Sequence, residues 1–183
     1  MGVVKTILSL VILAWAWPCM AQEDDAIPWD ANRKLSWSDF RAQPAENAWA
    51  AATTASGISY EYSAMENGEG YELEFRVGAF FYPDKSWYQP KLCDTVVLSH
   101  EQLHFNISEL YARKMTAIMS ATRFSRNARA EVKEIYQQIL KELGEFQSRY
   151  DQETNFSRDK EMQLLWNRKI DMALNGKINF SDL

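Results

Sequence analysis

The chain has 183 residues, of which 46% are hydrophobic and 25% charged, and a net charge of −5 at pH 7. That length and apolar share suit one domain with a core of its own. A mildly acidic balance argues against nucleic acid as a partner, because polyanions are held by a positive field.

The first segment, "MGVVKTILSLVILAWAWPCMA", reads as a secretory signal peptide over residues 1–21. Lys5 precedes an apolar run from Thr6 to Trp17, Pro18 breaks the helix, and Cys19 and Ala21 are the small residues at −3 and −1 of a cut before Gln22. The run is shorter than the roughly 20 residues that cross a bilayer core, so no membrane anchor is expected after cleavage. Bulky Trp17 and rigid Pro18 do not resemble the small residues that lead into a lipoprotein cysteine. Residues 22–183 are then a single exported domain, periplasmic or secreted. Cys93 is its one cysteine, so packing alone, without a disulfide, stabilises it. Five tryptophans (Trp29, Trp37, Trp49, Trp87 and Trp166) supply apolar material.

An acidic, turn-rich lead-in, residues 22–34, comes first, and Leu35, Trp37 and Phe40 are expected to anchor the stretch after it on the core. In "ATTASGISYEYSAM", residues 52–65, Ile58, Tyr60 and Tyr62 alternate with polar neighbours. Asn67-Gly68 is a turn signal. Tyr71, Leu73, Phe75, Val77, Ala79 and Phe81 then fall on one face of a strand, with Glu72, Glu74 and Arg76 on the other. The two runs predict an antiparallel hairpin. Residues 82–91, with two prolines, read as a loop.

The second half predicts helices. Asp94 or Thr95 can cap one that runs to about Ser120. Ser125 starts a second, with an apolar stripe of Val132, Ile135, Tyr136, Ile139, Leu140, Leu143 and Phe146. Ser157 caps a third, with Asp159 and Glu161 in its first turn and an apolar face of Met162, Leu165, Trp166, Ile170 and Leu174. Gly176 after Asn175 stops it. Strands first and helices after indicate an α+β fold. N-x-S sequons at Asn106, Asn155 and Asn179 are read as accidental, the first because it falls on the presumed buried helix.

The chemistry lies in "LSHEQLHFNISELYARK", residues 98–114, which holds both histidines of the chain in the pattern H-E-x-x-H. Residues four apart project from one helix face, so His100 and His104 can reach one Zn2+ ion while Glu101, one position on, acts as general base on a water. The pattern also occurs in helices whose histidines are merely packed. A catalytic zinc takes three protein ligands, and the chain has no third histidine.

Several stretches together resemble a bacterial family of secreted, predicted zinc-dependent proteases grouped as a domain of unknown function. They are "LSWSDFRAQP", "AATTASGISY", "SWYQPK", "LSHEQLHFNISELYAR" and "YDQETNFSRDKEMQLLWNRKI", and they cover most of the exported chain. The resemblance implies a zincin-like fold, with a small antiparallel sheet beside an active-site helix and two further helices behind it. It also implies hydrolysis of a peptide or protein substrate. His100, Glu101 and His104 match the family's motif. Its tail pattern, Y-D-x-x-T-x-H followed by glutamine and tryptophan, departs at the histidine, where this chain has Phe156.

A carboxylate can take the lost place. Glu153 is the substitute expected, with Asp151 and Asp159 beside it as alternatives. Glu109 is rotated off the histidine face and is expected to pair with Arg113 at i+4. Otherwise two histidines and waters hold zinc weakly, or the chain is a catalytically impaired pseudo-peptidase that acts as a periplasmic binding protein. A carboxylate within reach of both imidazoles favours the enzyme; Phe156 pointing into that spot favours the pseudoenzyme. Tyr111, Tyr150, Trp87 and Trp166 read as packing residues, and Cys93 as a small buried hydrophobe.

Overall fold

A computed structural model of the chain describes residues 25–66, 68 and 70–183. The signal peptide expected over residues 1–21 lies outside them. The described residues form an α+β fold. Five strands come first: β1 (Ile27–Pro28), β2 (Ala52–Thr53), β3 (Ser56–Glu66), β4 (Tyr71–Phe81) and β5 (Trp87–Tyr88). Three helices follow: α1 (Thr95–Ala121), α2 (Ala128–Glu153) and α3 (Lys160–Leu174).

The hairpin of β3 and β4 is antiparallel and in register from Ser56↔Phe81 to Glu66↔Tyr71, and β1 pairs on the outer edge of β4. The period-two alternation of β4 appears in its burial, with Ala79 and Phe81 in the core and Glu72, Glu74 and Arg76 in water. The sheet is not one continuous unit. The strand-forming run that begins at Ala52 breaks at Thr54, and β2 pairs separately with β5 through Ala52↔Tyr88 and Thr53↔Trp87. The break leaves β2 beside α1, where the Thr54 hydroxyl donates to the Glu101 carbonyl, 3.2 Å.

α1 is the central element, packed against β3 and β4 on one side and against α2 and α3 on the other. Burial on several faces brings polar residues of α1 inside as well as apolar ones, among them His100, Glu101, Asn106 and Ser108. Its start is set by Asp94, whose carboxylate accepts from Val96 N and Val97 N at 2.8 and 2.9 Å. Buried polar positions on it are satisfied. Asn106 accepts from Trp29 Nε1 and Gln102 Nε2, and Ser108 bonds Ser56.

Two helix starts differ from those read off the sequence. α2 begins after a turn in which Ser125 bonds Asn127 N and the Glu131 carboxylate. α3 is capped by Asp159, which accepts from Glu161 N and Met162 N, and not by Ser157. Ser157 instead has a positive φ of 69°, outside the extended region an N-cap needs.

Where β4 starts, the backbone of Tyr71 donates to the Phe124 carbonyl at 3.0 Å. A Cβ on Gly70 would lie 2.2 Å from that same oxygen. Gly70→Ala is therefore expected to destabilise the protein by about 1–3 kcal/mol, because backbone on both sides must move. A shifted urea midpoint at unchanged slope checks it; an unshifted midpoint contradicts it.

Candidate metal centre

The register fixed by Asp94 places His100 and His104 one turn apart on the side of α1 that faces α2. There they meet the last turns of α2, which present Tyr150 and Asp151. Tyr150 is fully buried, with its ring stacked on His100 (4.6 Å, 22°) and edge-on to His104 (5.1 Å, 71°). It is a packing residue, as expected, and what it packs is the histidine pair.

Asp151 Oδ1 lies 3.1 Å from His100 Nε2 and 2.9 Å from His104 Nε2, and the two ring nitrogens are 3.3 Å apart. These three residues form a group that can hold a metal ion. The spacing tests the fit. Bonds of about 2.0–2.1 Å to a tetrahedral zinc put neighbouring ligand atoms about 3.3 Å apart. The three measured separations lie within a few tenths of an ångström of that edge. Two neutral imidazoles and one carboxylate are also a donor set that zinc accepts.

The charges keep Asp151 in its ligating form, whereas His104 would have to give up a proton to bind metal. Burial pushes the Asp151 carboxyl up, yet hydrogen bonds from His100 and His104 outweigh it and hold Asp151 far below the usual carboxylate range. Burial pulls His104 down, but its bond to Asp151 and the charge of Glu101 leave it raised. Asp151 is thus ionised at neutral pH, the state in which a carboxylate ligates.

A second layer orients His100. Its Nδ1 donates to Gln163 Oε1 at 2.9 Å. Gln163 Nε2 in turn donates to the Tyr150 hydroxyl (2.7 Å) and to Asn167 Oδ1 (2.9 Å), and Asn167 Nδ2 donates to Ser99 Oγ (2.8 Å). This chain of amides leaves the Gln163 oxygen facing the ring, so Nδ1 is the nitrogen that donates there and Nε2 the one that would face a metal. Gln163→Leu is expected to weaken zinc binding by about 10–100-fold. Competition with a chromophoric chelator measures it, and an unchanged affinity would show the amide chain to be packing only.

Glu101 is buried and lines, with His100, His104 and Asp151, a cleft of about 520 Å³. Gln147 and Arg158 add polar lining, and Trp49, Ala50, Ala51, Leu92, Val97 and Phe156 apolar lining.

Glu153, the expected substitute, does not join the group. Its carboxylate accepts from Trp166 Nε1 at 3.0 Å. Residues two apart on a helix diverge by about 160°, so Glu153 turns to α3 while Asp151 turns to α1. Asp159 caps α3, and Glu109 pairs with Arg113 at 2.8 Å as expected. Phe156 does not occupy the ligand position. It stands at the edge of the cleft, edge-on to Trp49. The Cys93 thiol, with its pKa pushed up by burial, lies near the Ala51 carbonyl and outside the metal group. Sequence reading assigned no role to Gln163. Its presence in the tail pattern was the available signal, but only the packing of α3 shows which ring it meets.

No curated protein and no solved structure matches the chain. A family described as bacterial protein of unknown function matches residues 28–158, from β1 to the loop after α2, which takes in both histidines, Glu101 and Asp151. With most of its length so matched, the chain belongs to the bacterial family of unknown function DUF922.

Proposed function

We propose that the protein is an exported zinc-dependent metallopeptidase, with His100, His104 and Asp151 as metal ligands and Glu101 as general base. The observation that carries this reading is one carboxylate oxygen within 3.1 Å of both imidazole nitrogens, at the place where the family resemblance left a missing ligand. A zinc ion held there supplies Lewis acidity and lowers the pKa of a coordinated water to about 7.

The chain's own groups do the rest. Asp151 and the two imidazoles are held in place by Tyr150 and Gln163, so little reorganisation is needed. Glu101, beside them in the cleft, accepts the proton of the attacking water and returns it to the leaving amine. The substrate class is supported by β2. Among the described residues β2 pairs only with β5, and it lines the cleft. An extended peptide can align along such a strand.

No described helix is long and apolar enough to cross a membrane. The leader at residues 1–21 supports export. The pseudo-peptidase reading would be favoured by Phe156 in the ligand position; Phe156 instead packs edge-on to Trp49.

The test is metal analysis of protein recovered from the exported fraction, with its N-terminus read at the same time. One equivalent of zinc and a chain starting at Gln22 are expected, together with a melting temperature that falls on chelation and recovers on zinc addition. Failure to take up zinc after zinc-supplemented purification sinks the metal reading.

A further inference from the structure

We propose that Trp49 and Phe156 form a subsite for one bulky apolar side chain, above all an aromatic one, next to the bond that is cleaved. This rests on the peptidase reading and adds a substrate class to it.

Two aromatic rings stand exposed at one place. Trp49 is 71% exposed and Phe156 40%. Their centroids are 5.2 Å apart at 89°, and both line the cleft that holds His100, His104, Asp151 and Glu101. Ala50, Ala51, Leu92 and Val97 line the same cleft, and the alanine methyls are small. A side chain placed there meets apolar and aromatic surface, with which aromatic groups pack well.

The backbone carries the second, independent observation. Asn155, Phe156 and Ser157 all have positive φ, at 47°, 52° and 69°. Asparagine adopts this region readily; phenylalanine does so rarely. A helix end needs only one such residue, and glycine serves it best. Phe156 is therefore a poor choice for the turn and, being exposed, adds little to the core. The turn is nonetheless tightly tied. Phe156 N donates to the Asp151 carbonyl at 2.8 Å, Asp159 N to the Thr154 carbonyl at 2.9 Å, and the buried Thr154 hydroxyl to the Tyr150 carbonyl at 2.8 Å. Residues in such conformations persist where their surroundings over-determine them, and they cluster at ligand clamps. Here the clamp is bonded to the backbone of the ligand residue itself, so the ring's position is coupled to that of the metal group.

The experiment uses zinc-loaded exported protein and capped pentapeptides of alanine with phenylalanine, leucine, alanine or aspartate at the centre. Cleavage in competition reads relative kcat/KM. Binding to zinc-loaded Glu101→Gln, followed by tryptophan fluorescence and calorimetry, reads affinity without turnover. The phenylalanine peptide is expected to be preferred over the alanine peptide by about tenfold or more. Trp49→Ala and Phe156→Gly should each compress the phenylalanine-to-alanine ratio to within about threefold at unchanged zinc content. Phe156→Gly relieves the strained φ and so should fold; Phe156→Asn is the second variant for the same position. A ratio near one in the wild type, or one unchanged in all these variants, overturns the subsite. Preferential binding of the phenylalanine peptide with no cleavage of any peptide leaves the subsite standing and removes the peptidase reading. Cleavage without preference does the opposite.

Discussion

Asp151→Ala is expected to abolish tight zinc binding while leaving the helices intact, and Glu153→Ala to keep zinc while weakening the fold. The two residues are neighbours in sequence with the same charge, and the prediction separates them by what each carboxylate touches. Asp151 closes the triangle with His100 and His104. On the proposed assignment its loss removes a direct ligand, so affinity should fall by more than the about 10–100-fold associated with outer partners. At free zinc about 1,000 times the wild-type Kd, binding adds about 4 kcal/mol to stability; a variant 100-fold weaker keeps only about 1.4 kcal/mol of it. Thermal melts with and without zinc therefore separate wild type from Asp151→Ala clearly. Glu153→Ala strips the acceptor from Trp166 Nε1, a side chain only 2% exposed. Leaving that donor unpaired costs about 1–3 kcal/mol with zinc stoichiometry unchanged. Tight zinc binding by Asp151→Ala, or its loss in Glu153→Ala, would reverse the assignment of the third ligand.

Glu101→Gln should lower kcat by at least about 10²–10⁴-fold at full zinc occupancy. The substitution keeps size and shape in a buried position, so cavity effects stay small. It removes the basic oxygen and puts an amide donor in its place. A carboxylate acting as proton acceptor cannot be replaced in that role by an amide. A carboxylate acting only as a neighbouring charge can, with a modest change. The readout is peptidase rate alongside metal content on the same sample. Activity within tenfold of wild type at equal zinc occupancy would remove Glu101 from the chemistry.

Much of the fold was legible in advance because short-range physics set it. The alternation from Tyr71 to Phe81 could only be a strand with one buried face; the turn expected at Asn67-Gly68 includes Asn67, which lies outside the described residues. Asp94 ahead of an apolar run announced the start of α1, and Gly176, at φ 67°, the end of α3. Failures came where several local signals competed. Both Ser157 and Asp159 are capping residues by type, and the choice went to Asp159 because the chain between α2 and α3 turns through positive φ until residue 157. The strand-forming run from Ala52 looked continuous, and its division into β2 and β3 depends on a partner, β5, that is too short to read by pattern.

For the site, the sequence alone determined that His100 and His104 share a face and that Glu101 stands beside it, because helical period is a local property of four or five residues. It also showed that the histidine expected in the tail is absent. It did not determine which acid lies against the two imidazoles. Asp151 and Glu153 flank the apolar stripe of α2 on opposite sides, one toward the histidines and one toward Trp166, and nothing within α2 distinguishes the two flanks. That choice was made by how α2 lies against α1 and α3, with Tyr150 filling the space between the imidazoles and Trp166. Ligand geometry is a relation between helices, set by packing across long sequence separations, and so only the tertiary structure decided it.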